Sequence, residues 1–208
     1  MTTPSPESAS PHGSGGTASS PSLAPDQVVG RYTVLELLGA GARFEVYRAR
    51  LAGVLGFEKE VALKLPVPSL RADPRALAQL LGRMKGATAL SHAALLQVVD
   101  LGQLPAGLVS TSDGEGCPYF VTELARGTSL RSILSNASEA GRRVPTGAVS
   151  AVLAQLAQVL DYVRRREPGL CPIALRLEDV FVSPQGDLKI KDFCLREGVD
   201  DAALLGAL

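Results

Sequence analysis

Apolar and polar residues alternate from Tyr32 to Leu38, from Glu45 to Leu51 and from Glu58 to Leu65, the period of two expected of half-buried strands. Gly53 and Gly56 supply a turn between the second and third, so the three read as an antiparallel meander. The period then changes. Asp73-Pro74 places a good N-cap before a residue suited to the first helical position, and Leu77, Leu80, Leu81 and Met84 recur at helical spacing. Gly82 and Gly86 weaken that helix by up to about 1 kcal/mol each. Strands are predicted again near Leu95 to Leu101 and Tyr119 to Glu123. Ser129 caps a short helix carrying Leu130, Ile133 and Leu134. Thr146 opens the clearest helix, with Val149, Val152, Leu153, Leu156, Leu160 and Val163 on one face and Arg164 to Arg166 complementing its C-terminal dipole. A hairpin, Val180 to Val182 and Leu188 to Ile190, closes around Pro184-Gln185-Gly186-Asp187. No internal repeat is present.

Composition changes this picture at the start of the chain. Residues 1–27 are dominated by Ser, Pro, Gly, Thr and Ala and read as a disordered tail, with order expected from Val28. The 208 residues suffice for one domain or one and a half. Its 21 basic and 21 acidic side chains cancel, which argues against a nucleic-acid or anionic-membrane footprint. No apolar run long enough to span a bilayer and no signal peptide is read. The cysteines, Cys117, Cys171 and Cys194, form no CxxC pair, and with only His12 and His92 they make no zinc site. A reducing cytoplasm is expected.

The motifs then join in one order. Leu38-Gly39-Ala40-Gly41-Ala42-Arg43-Phe44-Glu45-Val46-Tyr47 resembles the glycine-rich loop of protein kinases, and Val61-Ala62-Leu63-Lys64 the strand that carries their lysine. Pro118 to Leu124 resembles the strand leading into the hinge, Ile190-Lys191-Asp192-Phe193-Cys194 the segment holding Asp-Phe-Gly, and Gly56-Phe57-Glu58-Lys59 a stretch of bacterial Ser/Thr kinases. Each piece alone is weak, but their order and spacing over residues 28 to about 195 make the signal specific. The resemblance implies an α+β fold: a kinase-like N-lobe over 28–124, of five antiparallel strands plus one helix, and an incomplete helical C-lobe over 125–208. It implies a nucleotide site formed by Gly39, Gly41, Val46, Ala62, Lys64, Glu123 and Ala125, with Asp192 and Asp179 as metal ligands.

Several parts that phosphoryl transfer needs are altered. The third glycine of the loop is Phe44, whose ring is expected over or inside the phosphate region. The helix glutamate that steadies the lysine in this family is matched by Arg83, so repulsion is expected in place of attraction, and no acidic residue occurs between Pro74 and Val99. The catalytic loop is matched by Pro172 to Asp179; the base position becomes Ala174, the metal-binding Asn becomes Asp179, and Arg176 stands where Ser/Thr kinases carry a lysine. Cys194 replaces the glycine after Phe193 and reads as a small buried hydrophobe. Phe181 falls below the expected adenine position. After Cys194 no activation segment with Ala-Pro-Glu follows.

Three functions stay open on this reading. The first is a pseudokinase serving as a binding or regulatory module, with ATP and magnesium bound weakly or not at all. The second is an active Ser/Thr kinase with displaced catalytic groups. The third is a non-catalytic fragment that folds with another polypeptide. The apolar face of the Thr146 helix is expected to meet a protein partner, a second copy, or the segment Ala202-Ala203-Leu204-Leu205.

Overall fold

The computed structural model describes residues 21–53, 56–109, 111, 114, 116–170 and 175–193. Nine strands and four helices follow in the order β1 (Val28–Val29), β2 (Tyr32–Ala40), β3 (Phe44–Ala52), β4 (Glu58–Pro66), α1 (Pro68–Arg71), α2 (Pro74–Ala87), β5 (Val98–Gln103), β6 (Pro118–Glu123), β7 (Thr128–Ser129), α3 (Leu130–Glu139), α4 (Thr146–Arg166), β8 (Val180–Val182) and β9 (Leu188–Ile190). The main sheet runs β1-β2-β3-β4-β6-β5, all antiparallel. It therefore has six strands where the sequence predicts five, because the two-residue β1 pairs with the start of β2. β5 begins at Val98 instead of Leu95; Leu95 instead forms a parallel bridge to Ile190, tying the sheet lobe to the β8–β9 hairpin.

The alternation along the strands divides the sheet into two faces. On one, Tyr32, Val34, Tyr47, Ala49, Val61, Leu63, Leu65, Tyr119 and Val121 pack with Leu104 and Cys117 into a closed apolar cluster. Burial pushes the Cys117 thiol up to about 11, so it stays protonated and unreactive near neutrality. On the other, Phe44 and Phe120 meet the α2 residues Leu80 and Met84, and Val159 and Val163 of α4 join them with Leu170, Leu188 and Ile190.

The tail boundary expected at residue 27 moves toward the N-terminus. Leu23 is buried in the first cluster. Ser22 donates from its backbone N–H and its hydroxyl to the buried Glu45 carboxylate, at 3.1 and 2.9 Å. The Tyr47 hydroxyl donates to the same carboxylate at 2.6 Å, and Arg71 Nη2 donates to Ser22 Oγ at 2.9 Å. Composition conceals this strap, because one leucine and one serine suffice once a buried carboxylate and guanidinium await them.

α2 starts as its cap predicts, with the Asp73 side chain accepting from the amides of Arg75 and Ala76. Ser129 likewise accepts from Ser132 N at the start of α3. α4 buries Val159 and Val163, packs Val152 and Leu156 partly on the same core, bonds to the β8–β9 hairpin through Gln155, and its Tyr162 hydroxyl accepts from Ser91 N at 2.9 Å. Val149 and Leu153 remain 43% and 59% exposed. Arg164 and Arg165 pair with Asp161 at 3.5 and 2.8 Å. By length and composition alone α4 is, among the described residues, a helix long and apolar enough to cross a membrane; its last turns carry Asp161 and three arginines.

Candidate functional site

The β2–β3 hairpin, the lysine strand β4, the end of β6 and the residues flanking β8 and β9 enclose a cleft of about 820 Å³. Every residue expected to hold nucleotide or metal reaches it: Gly39, Gly41, Val46, Ala62, Lys64, Glu123, Ala125, Asp179 and Asp192. Residues not expected to hold nucleotide or metal also line it, notably Leu96, outside every motif, and Leu38, Thr122, Glu178 and Lys191 within them. Lys191 lies inside the Ile190-Lys191-Asp192 motif, so its direction, not its place in the chain, is the missing signal.

The elements explain these positions. Gly39 and Ala40 pair with Val46 and Glu45, so the hairpin turns over Gly41 to Arg43, where Gly41 N donates to Phe44 O at 2.8 Å. Phe44, expected over or inside the phosphate region, lines the cleft, with its ring turned toward the core. Its ring packs edge-on against Phe120 at 5.5 Å between centroids and 86° between planes, and only 6% of the residue is exposed. Phe120 and the apolar side of α2 lie beneath that strand end, and burying the ring there removes more apolar surface from water than leaving it over the cleft.

Lys64 is 3% exposed and is paired on both sides by strands, so its ammonium is delivered into the cleft by the sheet itself. The acid that Lys64 meets comes from the segment after β9 and not from α2: Lys64 Nζ forms a short ion pair with Asp192 Oδ1. Asp192 reaches it from a left-handed backbone, φ 55°, a region that Asp tolerates better than most side chains. Arg83, in α2, is half-buried and has contacts of its own.

Asp179 closes a short 3-10 turn, Leu177–Asp179, immediately before β8 and is 4% exposed. Lys191 N donates to the Asp179 carbonyl at 2.9 Å, which brings the two side chains together: Lys191 Nζ lies 3.8 Å from Asp179 Oδ1. The same ammonium stands 5.5 Å from the centroid of the Phe181 ring. At the hinge end Lys189 Nζ meets Glu123 Oε2 at 3.1 Å, and Arg176 meets Glu178 at 3.5 Å. Four carboxylates around the cleft therefore each face a cation of this chain. Among the described residues no group of three or more His, Cys, Asp or Glu could hold a metal.

The cleft thus combines an apolar lining of Leu38, Val46, Ala62 and Phe181 with the ammoniums of Lys64 and Lys191. Ala174, Cys194 and residues 202–205 lie outside the described residues.

A family model described as protein tyrosine and serine/threonine kinase matches residues 32–205. The chain is 27% identical over 180 residues to a probable serine/threonine-protein kinase, SCO3848, of Streptomyces coelicolor, covering 86% of this chain and 24% of that protein. It is 28% identical over 180 residues to the serine/threonine-protein kinase PknB of Mycobacterium tuberculosis, covering 86% of this chain and 26% of PknB. It thus spans about a quarter of the length of these relatives. A mutant of the Mycobacterium tuberculosis PknI kinase domain superposes with a TM-score of 0.64 at 25% identity, covering 84% of this chain and 64% of that one.

Proposed function

Because this chain belongs to the protein tyrosine and serine/threonine kinase family, we propose that it is a pseudokinase: a domain that binds nucleotide weakly and acts as a regulatory module without phosphate transfer. The observation that carries this reading is the register of the catalytic loop. Asp179 precedes β8 inside the cleft and Asp192 follows β9, and the base position that both spacings designate is Ala174, a methyl group. Removing a general base lowers a rate by about 10²- to 10⁴-fold. No side chain on α2 replaces the glutamate that orients the lysine in this family; Asp192 holds Lys64 instead. Binding in the regulatory role falls to the exposed positions Val149 and Leu153 of α4, toward a protein partner or a second copy, and the buried, protonated Cys117 suits a reducing cytoplasm.

A second reading has one observation in its favour. Glu178 lines the cleft four residues after Ala174 and could take a hydroxyl proton in place of the lost base, which would make the chain an active kinase with a displaced group. It is engaged by Arg176 at 3.5 Å and Arg131 at 3.9 Å, and both pairs hold its charge away from that task. The test is transfer of labelled phosphate from ATP to a mixed basic protein substrate, with Lys64→Ala and Glu178→Gln beside the native chain. No transfer above the Lys64→Ala background is expected. Transfer that Glu178→Gln abolishes would establish the second reading.

A further inference from the structure

We infer that the cleft of this chain takes its nucleotide without a divalent cation, the ammonium groups of Lys191 and Lys64 occupying the places of the metal. The inference rests on the nucleotide-binding reading and concerns the two carboxylates expected to ligate magnesium. Asp192 is in a short ion pair with Lys64, and Asp179 is 3.8 Å from Lys191.

Neither contact is a loose surface pair. Lys64 is 3% exposed on a central strand, and Asp179 is 4% exposed. The bond from Lys191 N to the Asp179 carbonyl, 2.9 Å, fixes the second pair through the backbone, and the Phe181 ring holds the same ammonium from another side at 5.5 Å. Magnesium demands close to octahedral oxygen coordination at about 2.0–2.1 Å and sheds its water reluctantly. At Asp192 it would have to displace the Lys64 ammonium from Oδ1, and at Asp179 it would meet the Lys191 ammonium 3.8 Å from Oδ1. A triphosphate meets the opposite situation. It arrives with its own negative oxygens at two cations that the fold has already gathered, and a buried lysine is an effective point charge for phosphate. The other carboxylates lining the cleft, Glu178 and Glu123, face Arg176 and Lys189, which leaves Asp179 Oδ2, buried without a hydrogen-bond partner, as the one oxygen that Lys191→Met would open to the ion.

The test uses a fluorescent ATP analogue titrated into the whole chain in magnesium and in EDTA, together with manganese followed by its free-ion paramagnetic resonance signal. Equal affinity in the two buffers, and a free-ion signal unchanged by the native chain, are expected. Lys191→Met should free Asp179 and make analogue binding tighter in magnesium than in EDTA, with loss of free manganese signal. Native affinity at least about tenfold higher in magnesium, equivalent to about 1.4 kcal/mol, would overturn the inference. So would a Lys191→Met variant as indifferent to metal as the native chain. Absence of analogue binding in both buffers overturns the nucleotide-binding reading instead. The manganese spectra then decide the inference by themselves: native uptake refutes it, and uptake only by Lys191→Met supports it.

Discussion

The sheet lobe and the helical part of this molecule are unequal. In the sheet, Tyr32, Tyr47, Leu63, Leu65 and Val121 are at or near zero exposure, and even the charged Glu45 and Arg71 are enclosed and hydrogen-bonded. In the helical part α3 buries no residue and α4 buries only Val159 and Val163 along 21 residues. The sheet closes its own apolar surface, whereas α3 and α4 leave most of their side chains exposed. Stability thus resides in the half that carries Gly39, Gly41 and Lys64, while the half that in this family carries the catalytic loop is thinly supported. That division suits a domain retained for binding.

The largest effect that would test this contrast is a pair of truncations. Leu63→Ala removes a fully buried side chain at the centre of the sheet and should cost about 2–5 kcal/mol in urea unfolding. Leu153→Ala, on the uncovered face of α4, should change stability by no more than about 0.5 kcal/mol. Equal losses would show that α4 is buried in solution, against a second copy or a partner. Glu45→Gln comes next, because it weakens the acceptor shared by Ser22 and Tyr47; a loss of about 1–3 kcal/mol is expected, with new protease cleavage between residues 22 and 27. Retained protection of that segment would show that Leu23 alone anchors the strap.

Hydrogen exchange sharpens the contrast locally. Amides of β3 and β4 should exchange at the slow rate of global unfolding, and those of α3 and the first half of α4 much faster. Uniform protection would contradict the division. The smallest effect concerns pH. Burial, reinforced by the hydrogen bond to Asp100, pushes Tyr32 from 10.0 up to about 12. A phenol whose folded value is raised contributes stability that is complete below the ordinary value and is lost as pH rises from 10.0 toward about 12, since the unfolded chain releases its proton first. Melting temperatures measured across that window should fall, and less steeply in Asp100→Asn. An identical slope in that variant would assign the shift to burial alone.

Much of the site is legible in the amino-acid sequence. Gly39, Gly41, Ala62, Lys64, Glu123 and Asp192 lie in short contiguous motifs attached to strand ends, and strand periodicity is a local property, so each side chain's face follows from its neighbours. The caps at Asp73 and Ser129 are legible for the same reason. Three features are not. The Phe44 ring turns onto Phe120 because of what lies beneath the hairpin. Residues 22 and 23 are ordered by Glu45 and Arg71, far along the chain. Lys191 is one of five lysines and stands between a strand and an aspartate, and only the approach of its ammonium to Asp179 gives it a role.

By itself the sequence determined the order of the longer strands and helices, the family, and the methyl group at Ala174, because these depend on residue identity and on spacing within a few turns or pleats of the chain. Only the tertiary structure decided which cation faces which carboxylate. Lys64 and Asp192 are 128 residues apart, and their pairing is a matter of distance in space. Charge interaction falls with separation and strengthens away from water, so closure of the cleft sets it and position along the chain does not.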